Sequence, residues 1–213
     1  CSMNIRLIYF DLPFWRAEAS RIALFLGSVP FDDVRTTSEE FEKMKTAGKL
    51  PYGQLPILEV DGEVIAQSVA IARFCGKQAG LYPMDNDVNA ARVDELLDTA
   101  TQITELLSPS FRETDLEQRA TMRDELASQT FPTWLGYLEG RLISNRGSGY
   151  FVGPQLTIAD LAIWRLLGWI TGGHLDGIPT NLLDPHPTLH RHFRRIDRHD
   201  GVRSWMDQHY ADR

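Results

Sequence analysis

The 213 residues carry a formal net charge of −7, which argues against nucleic acid as a partner, because phosphate binding needs a basic stripe. Hydrophobic residues make up 43% and charged residues 24% of the chain, the balance of a soluble globular protein with room for one large or two small domains. No window approaches the length of a transmembrane helix, and the N-terminus lacks an apolar signal core, so a cytoplasmic protein without a membrane role is expected. Cys1 and Cys75 are too few for a disulfide framework. Cys75 lies in an apolar helical run and reads as a small buried hydrophobe. Cys1-Ser2, ahead of Met3, is expected to be left over from cloning.

In chain order, the first part reads strand, helix, strand, helix, strand, strand, helix. The segments are 5–10, 15–26, 31–35, 39–45, 55–60, 64–66 and 67–78. This alternation implies an α/β sandwich around a mixed sheet. Asp61-Gly62 is a hairpin turn between the third and fourth strands. Gly80-Leu81-Tyr82-Pro83 stops the last helix, and 84–87 is a plausible linker. Domains are therefore expected over 1–83 and 84–213.

From Val88 onward the pattern is helical. Val93, Leu96, Leu97, Ala100, Ile103 and Leu107 form one apolar stripe on a long helix that Pro109 should end. A second long segment from Leu116 contains Pro132, which should kink it or begin a new helix. At Leu156-Thr157-Ile158-Ala159-Asp160-Leu161, Thr157 and Asp160 are spaced for a capping box, with Leu156 and Leu161 as its hydrophobic staple. The helix that follows is apolar nearly all round and should run through the middle of the helical domain.

The most informative stretch is Leu50-Pro51-Tyr52-Gly53-Gln54-Leu55-Pro56-Ile57-Leu58-Glu59-Val60-Asp61-Gly62, followed by Gln67-Ser68-Val69-Ala70. A backbone edge before a proline, beside a helix that opens on Gln67 and Ser68, can clamp a small peptide carrying a carboxylate. The unpaired N–H groups and positive dipole end of that helix favour an anion. Together with Leu7-Ile8-Tyr9-Phe10, Arg16-Ala17-Glu18 and the Thr157–Asp160 motif, this resembles the glutathione transferase family over nearly the whole chain. The closest look is to the sigma-like, tyrosine-type branch, which includes glutathione-dependent prostaglandin D synthases. The resemblance implies a thioredoxin-like α/β domain followed by an all-α domain, glutathione as co-substrate, a homodimer and no metal.

The resemblance also implies roles for residues. Tyr9, at the end of the first strand, should stabilise the glutathione thiolate, although an isolated strand tyrosine is more often a packing residue. Arg16 should orient the tyrosine or a substrate group; read alone, it is a surface arginine pairing with Glu18 or a neighbour. The loop between them, Asp11-Leu12-Pro13-Phe14-Trp15, is one residue longer than the branch usually has and lacks glycine. Leu12, Phe14 and Trp15 would wall the electrophile pocket, facing Ile103, Leu106 and Leu107 of the long helix. Gln54 and Leu55 would hold the middle of the peptide, with Pro56 cis. Gln67 and Ser68 would take the γ-glutamyl carboxylate. Phe41 stands where relatives often have a tryptophan, and Lys45, ahead of Lys49, would meet the glycine carboxylate. Gln102 falls where the branch lends an Asp across the dimer, and Tyr52 is placed to insert into the partner.

Other chemistries are poorly supported. His186, His190 and His192 with Asp184 read as a solvated cluster lacking a third convergent ligand. Arg191, Arg194, Arg195 and Arg198 read as a solvated helix face. Neither cysteine lies near the start of the first helix, which disfavours thioltransferase chemistry. The alternatives to conjugation are glutathione-dependent isomerisation and a non-catalytic ligand-binding or structural role.

Overall fold

The structure is a computed structural model and describes residues 3–211; Cys1 lies outside them. The first half contains strands β1 (Ile5–Phe10), β2 (Asp32–Thr36), β3 (Ile57–Val60) and β4 (Glu63–Ala66), with helices α1 (Trp15–Leu26), α2 (Ser38–Thr46) and α3 (Ser68–Gln78). The sheet order is β2-β1-β3-β4. β1 runs parallel to β2, with Tyr9 opposite Arg35, and antiparallel to β3, with Ile5 opposite Val60. This is the mixed sheet the alternation of elements implies, in the thioredoxin-like arrangement the family resemblance implies.

Five elements differ from the sequence reading; α2 is one residue longer at each end (Ser38–Thr46) and β4 starts one residue earlier, at Glu63. β3 starts at Ile57, because the Leu55–Pro56 peptide is cis and proline has no N–H to give the ladder. β2 is displaced by one residue, beginning at Asp32. α3 begins at Ser68, since Gln67 is its N-cap with φ 76°, outside any helical region.

The second half is all helical: α4 (Asp87–Arg112), α5 (Leu116–Glu125), a π-helical turn (Leu126–Thr130), α6 (Phe131–Ser144), α7 (Ile158–Thr171), α8 (Pro187–Asp197) and α9 (Asp200–Tyr210). Pro109 does not end α4, which continues to Arg112. It costs one backbone bond in the final turn. Nearby hydroxyls occupy carbonyls there, with Ser108 Oγ donating to Thr104 O and Ser110 Oγ to Leu107 O. Pro132 falls in the first turn of α6, and the wider π turn before it absorbs the missing donor.

α7 runs through the middle, packed on α1, α3, α4 and α8. Its capping box is formed: Asp160 Oδ2 accepts from the Thr157 backbone N–H at 2.8 Å and from Thr157 Oγ1 at 3.0 Å. Asp160 also does more than cap. Its Oδ1 accepts from Phe151 N–H at 2.9 Å and contacts His192 Nε2 at 2.8 Å, so four bonds meet a fully buried carboxylate. His192 is thereby a core residue, 2% exposed, and not part of a solvated cluster. Among the described residues no three His, Cys, Asp or Glu side chains converge as metal ligands. No described helix is long and apolar enough to cross a membrane.

The two halves share one core. Trp15 of α1 is 1% exposed, and its Nε1 donates to Thr104 Oγ1 of α4 at 2.9 Å. The first helix therefore belongs to both layers at once.

Candidate functional site

A cavity of about 290 Å³ opens where the sheet half meets α4. One wall is made by Gln54, Leu55, Pro56, Ala66, Gln67, Ser68 and Val69, with Tyr52 at the rim and Arg16 entering from α1. The cis Leu55–Pro56 bond turns the chain just before β3, leaving the Leu55 backbone at the sheet's end. Gln67 holds a left-handed φ that side chains rarely adopt, a cost of about 1–3 kcal/mol that tends to be kept where a site needs it. The strain sits between the end of β4 and the first turn of α3, where the Ser68 side chain and free helical N–H groups suit an anion.

The opposite wall comes from α4: Asp98, Thr101 and Glu105. These were not singled out from the sequence. Their spacing of three and four, beside the stripe through Leu97 and Ile103, marks one flank of a helix and made them findable. Gln102 is exposed and outside the lining.

Tyr9 is 6% exposed and also lies outside this lining. Its hydroxyl meets no hydrogen-bond partner among the described residues. Burial pushes its pKa up from 10.0 to about 12, against the opposing pull of the Arg16 and Arg21 charges. The phenol therefore stays protonated at neutral pH. It is a donor, not a base.

The expected grip on a second carboxylate is less complete. Phe41 is partly buried, edge-on to Phe10 with ring centroids 5.4 Å apart. Lys45 reaches over Phe41, its Nζ 5.7 Å from the ring, and its Cε would lie 3.8 Å from a methyl placed on Gly53. It is thus beside the loop that leads to Gln54. Lys49 is exposed on its own loop. None of the three lines the cavity.

The electrophile wall needs correction. Trp15, Ile103 and Leu107 are 1%, 2% and 0% exposed and belong to the shared core. Leu106 is exposed but lines a separate recess with Pro109 and Met122. What continues from Arg16 is a run of rings: Phe14 lies 6.0 Å from the Arg16 guanidinium and edge-on to Trp169 at 4.5 Å, and Trp169 stacks on Phe111 at 5.4 Å. Phe111 is 49% exposed and Leu12 37%. Phe111 and Trp169 lie 58 residues apart in sequence, so no local pattern pairs them.

A strained turn, a cis proline and a helix start thus face one cleft on a thioredoxin-like scaffold. Two family models match, the glutathione S-transferase N-terminal domain over residues 5–76 and its C-terminal domain over 101–209. The chain is 33% identical over 211 residues to "Glutathione S-transferase 1" of Ascaris suum, covering 94% of each. Among solved structures, a prostaglandin D synthase of Nilaparvata lugens matches with TM-score 0.83 at 27% identity, over 96% of this chain and 98% of the other. A glutathione S-transferase from the hookworm Necator americanus, described as monomeric, matches with TM-score 0.79 at 28% identity, over 96% of this chain and 97% of the other. The chain belongs to the glutathione S-transferase family.

Proposed function

We propose that this enzyme activates the glutathione thiol through Tyr9 and adds it to apolar electrophiles. The observation that carries this reading is the cavity itself, with Gln54, Leu55, cis Pro56, Gln67 and Ser68 on one continuous wall. The γ-glutamyl carboxylate would sit on Ser68 and the α3 N-terminus, the cysteinyl unit on the Leu55 backbone, and the glycine carboxylate toward Lys45. Asp98 or Glu105 would face the γ-glutamyl ammonium from within the same chain. The electrophile would lie along Trp169 and Phe111, an apolar run for which rings are well suited, with Phe14, 7% exposed, packed behind Trp169.

A free thiol titrates near pH ~8.5 and reacts as the thiolate. A neutral phenol aimed at sulfur stabilises the anion without taking its proton, which leaves to solvent. The sulfur lone pair then forms the new C–S bond as the electrophile releases its leaving group or takes up the electron pair. The same thiolate opens a prostaglandin-type isomerisation, a second reading favoured by the fold match to a prostaglandin D synthase. Domains over 1–83 and 84–213, a cytoplasmic setting, a role in detoxification and a homodimer in which Gln102 and Tyr52 meet the partner belong to this reading.

Tyr9→Phe tests the core of the proposal. Ultraviolet titration of bound glutathione should show the thiolate pKa rising toward its solution value, each unit being about 1.36 kcal/mol. Turnover near neutral pH should fall and recover in part at alkaline pH. An unchanged thiolate pKa together with unchanged turnover would assign activation to another residue.

A further inference from the structure

The guanidinium of Arg123, in α5, is buried, the residue being only 2% exposed. Taking such a group out of water is costly, and an apolar side chain of similar size often stabilises a core as well. A buried arginine is therefore better suited to fixing geometry than to adding stability. The bonds of Arg123 run to two other elements. Its Nε donates to Ser110 Oγ, near the end of α4, at 2.6 Å. Its Nη1 donates to the backbone carbonyl of Asp176 at 2.9 Å and to Asp176 Oδ1 at 3.0 Å, in the loop that follows α7.

Both of those elements carry a ring of the electrophile wall. Phe111 follows Ser110 directly, and Trp169 lies in the last turn of α7, ahead of Asp176. The Arg123 guanidinium itself sits over the Phe111 ring, 4.9 Å from its centre. Phe111 in turn stacks on Trp169 at 5.4 Å, with 16° between the planes. The end of α4 needs this hold, because Pro109 leaves its last turn one backbone donor short. Core packing does little to place Phe111, which is about half exposed. The loop also closes tightly on the arginine: Gly177 has φ 76°, and a Cβ placed there would lie 3.2 Å from Arg123 Cβ.

We propose, on the reading of this wall as the electrophile site, that Arg123 is a positioning residue for it. By clasping Ser110 and Asp176 it fixes the Phe111–Trp169 pair, and through that pair it sets a preference for electrophiles that present a flat ring. Arg123 is too buried to meet the substrate itself. Its effect is confined to the ring slot and spares the carboxylate grip at Ser68.

Calorimetry on the full chain with S-(p-nitrobenzyl)glutathione and S-methylglutathione separates the ring slot from the peptide grip. The parent should bind the nitrobenzyl conjugate more tightly. In Arg123→Met, which keeps the bulk and removes the donors, that preference should shrink roughly tenfold while affinity for S-methylglutathione is retained. Conjugation should follow: kcat/KM for chlorodinitrobenzene should fall relative to that for allyl isothiocyanate, through KM. Ser110→Ala, a smaller change, should move both ratios in the same direction, and it decides the matter if Arg123→Met does not fold. On a Phe111→Leu background Arg123→Met should change neither ratio further, since the arginine acts through that ring. A parent without the preference, equal losses for both conjugates, ratios unmoved by Ser110→Ala and by a folded Arg123→Met, or additive effects of Arg123→Met and Phe111→Leu would each overturn the proposal. A parent that conjugates neither electrophile, yet shows the Arg123-dependent binding preference, would refute the conjugation reading and leave the clasp standing.

Discussion

Glu18, in the first helix, accepts a 2.8 Å hydrogen bond from the hydroxyl of Tyr210, in the ninth, across 192 positions of chain. The same carboxylate accepts from Trp205 Nε1 at 2.6 Å and Arg21 Nη1 at 3.0 Å. Arg21, fully buried, goes on to Asp33 at 2.8 Å and to the carbonyls of Phe10 and Leu12 at 3.2 and 3.3 Å. Glu18 therefore pairs with Arg21 and α9, not with Arg16. That leaves the Arg16 guanidinium available to the cavity and anchors the loop after Tyr9 from behind.

Replacing Glu18 with Ala should cost about 3–5 kcal/mol, because the Arg21 guanidinium keeps its charge in the core and loses a partner. Urea denaturation of the two proteins measures this directly. A loss below about 1 kcal/mol would mean that Asp33 and the loop carbonyls suffice for Arg21.

Asp160→Ala should be more damaging than removal of an ordinary helix cap, which costs about 0.5–2 kcal/mol. Four donors converge on this buried carboxylate, from Thr157, Phe151 and His192. Stranding several of them at about 1–3 kcal/mol each exceeds the cap alone. The melting temperature should drop steeply while glutathione affinity, measured on the folded fraction, stays near that of the parent. A mild loss would show that water replaces the carboxylate.

Ser68→Ala should weaken glutathione binding by about 1.5–3 kcal/mol, the range for one hydrogen bond to a charged group. Calorimetry decides the matter. Unchanged affinity would remove Ser68 from the site and leave the backbone N–H groups of α3 as the only donors there.

Stability should decline above pH 9. Burial pushes Cys75 from 9.0 to about 12 and Tyr9 from 10.0 to about 12, and raises Tyr210 as well, through burial first and the Glu18 charge second. Below pH 9 both folded and unfolded chains hold these protons, so the contribution is constant. As pH rises, the unfolded chain releases them first. It then binds fewer protons than the native state, and stability falls with increasing pH until the native groups titrate near pH 12. Tyr9→Phe should flatten this decline when unfolding free energies are compared across the alkaline range. A slope identical to the parent's would mean that Tyr9 titrates alike in both states.

Much of the fold was readable locally. α1 has the limits its apolar spacing implies, and the Thr157–Asp160 box is where two residue types three apart place it. Sequence reading went astray where one residue type serves two purposes. Trp15, Ile103 and Leu107 are apolar, which suits a ligand wall and a core equally, and only the Trp15–Thr104 bond decides for the core. The rings that do continue from Arg16, at Phe14, Trp169 and Phe111, meet through packing of distant helices. The arginines at 191, 194, 195 and 198 are exposed, as a solvated face requires, but His192 among them is buried, because Asp160 of a distant helix draws it into the core.

The bond between the first helix and the ninth also orders events during synthesis. Domains generally fold as they emerge, the N-terminal one first. Here the carboxylate of Glu18 lacks the Trp205 and Tyr210 donors until residues 205–210 have been made. The sheet half that carries the candidate site must wait, with an incomplete charge cluster behind Tyr9, for the far end of the chain to close it. Truncation within α9 would therefore be felt at the opposite end of the sequence, beside the tyrosine rather than at the break.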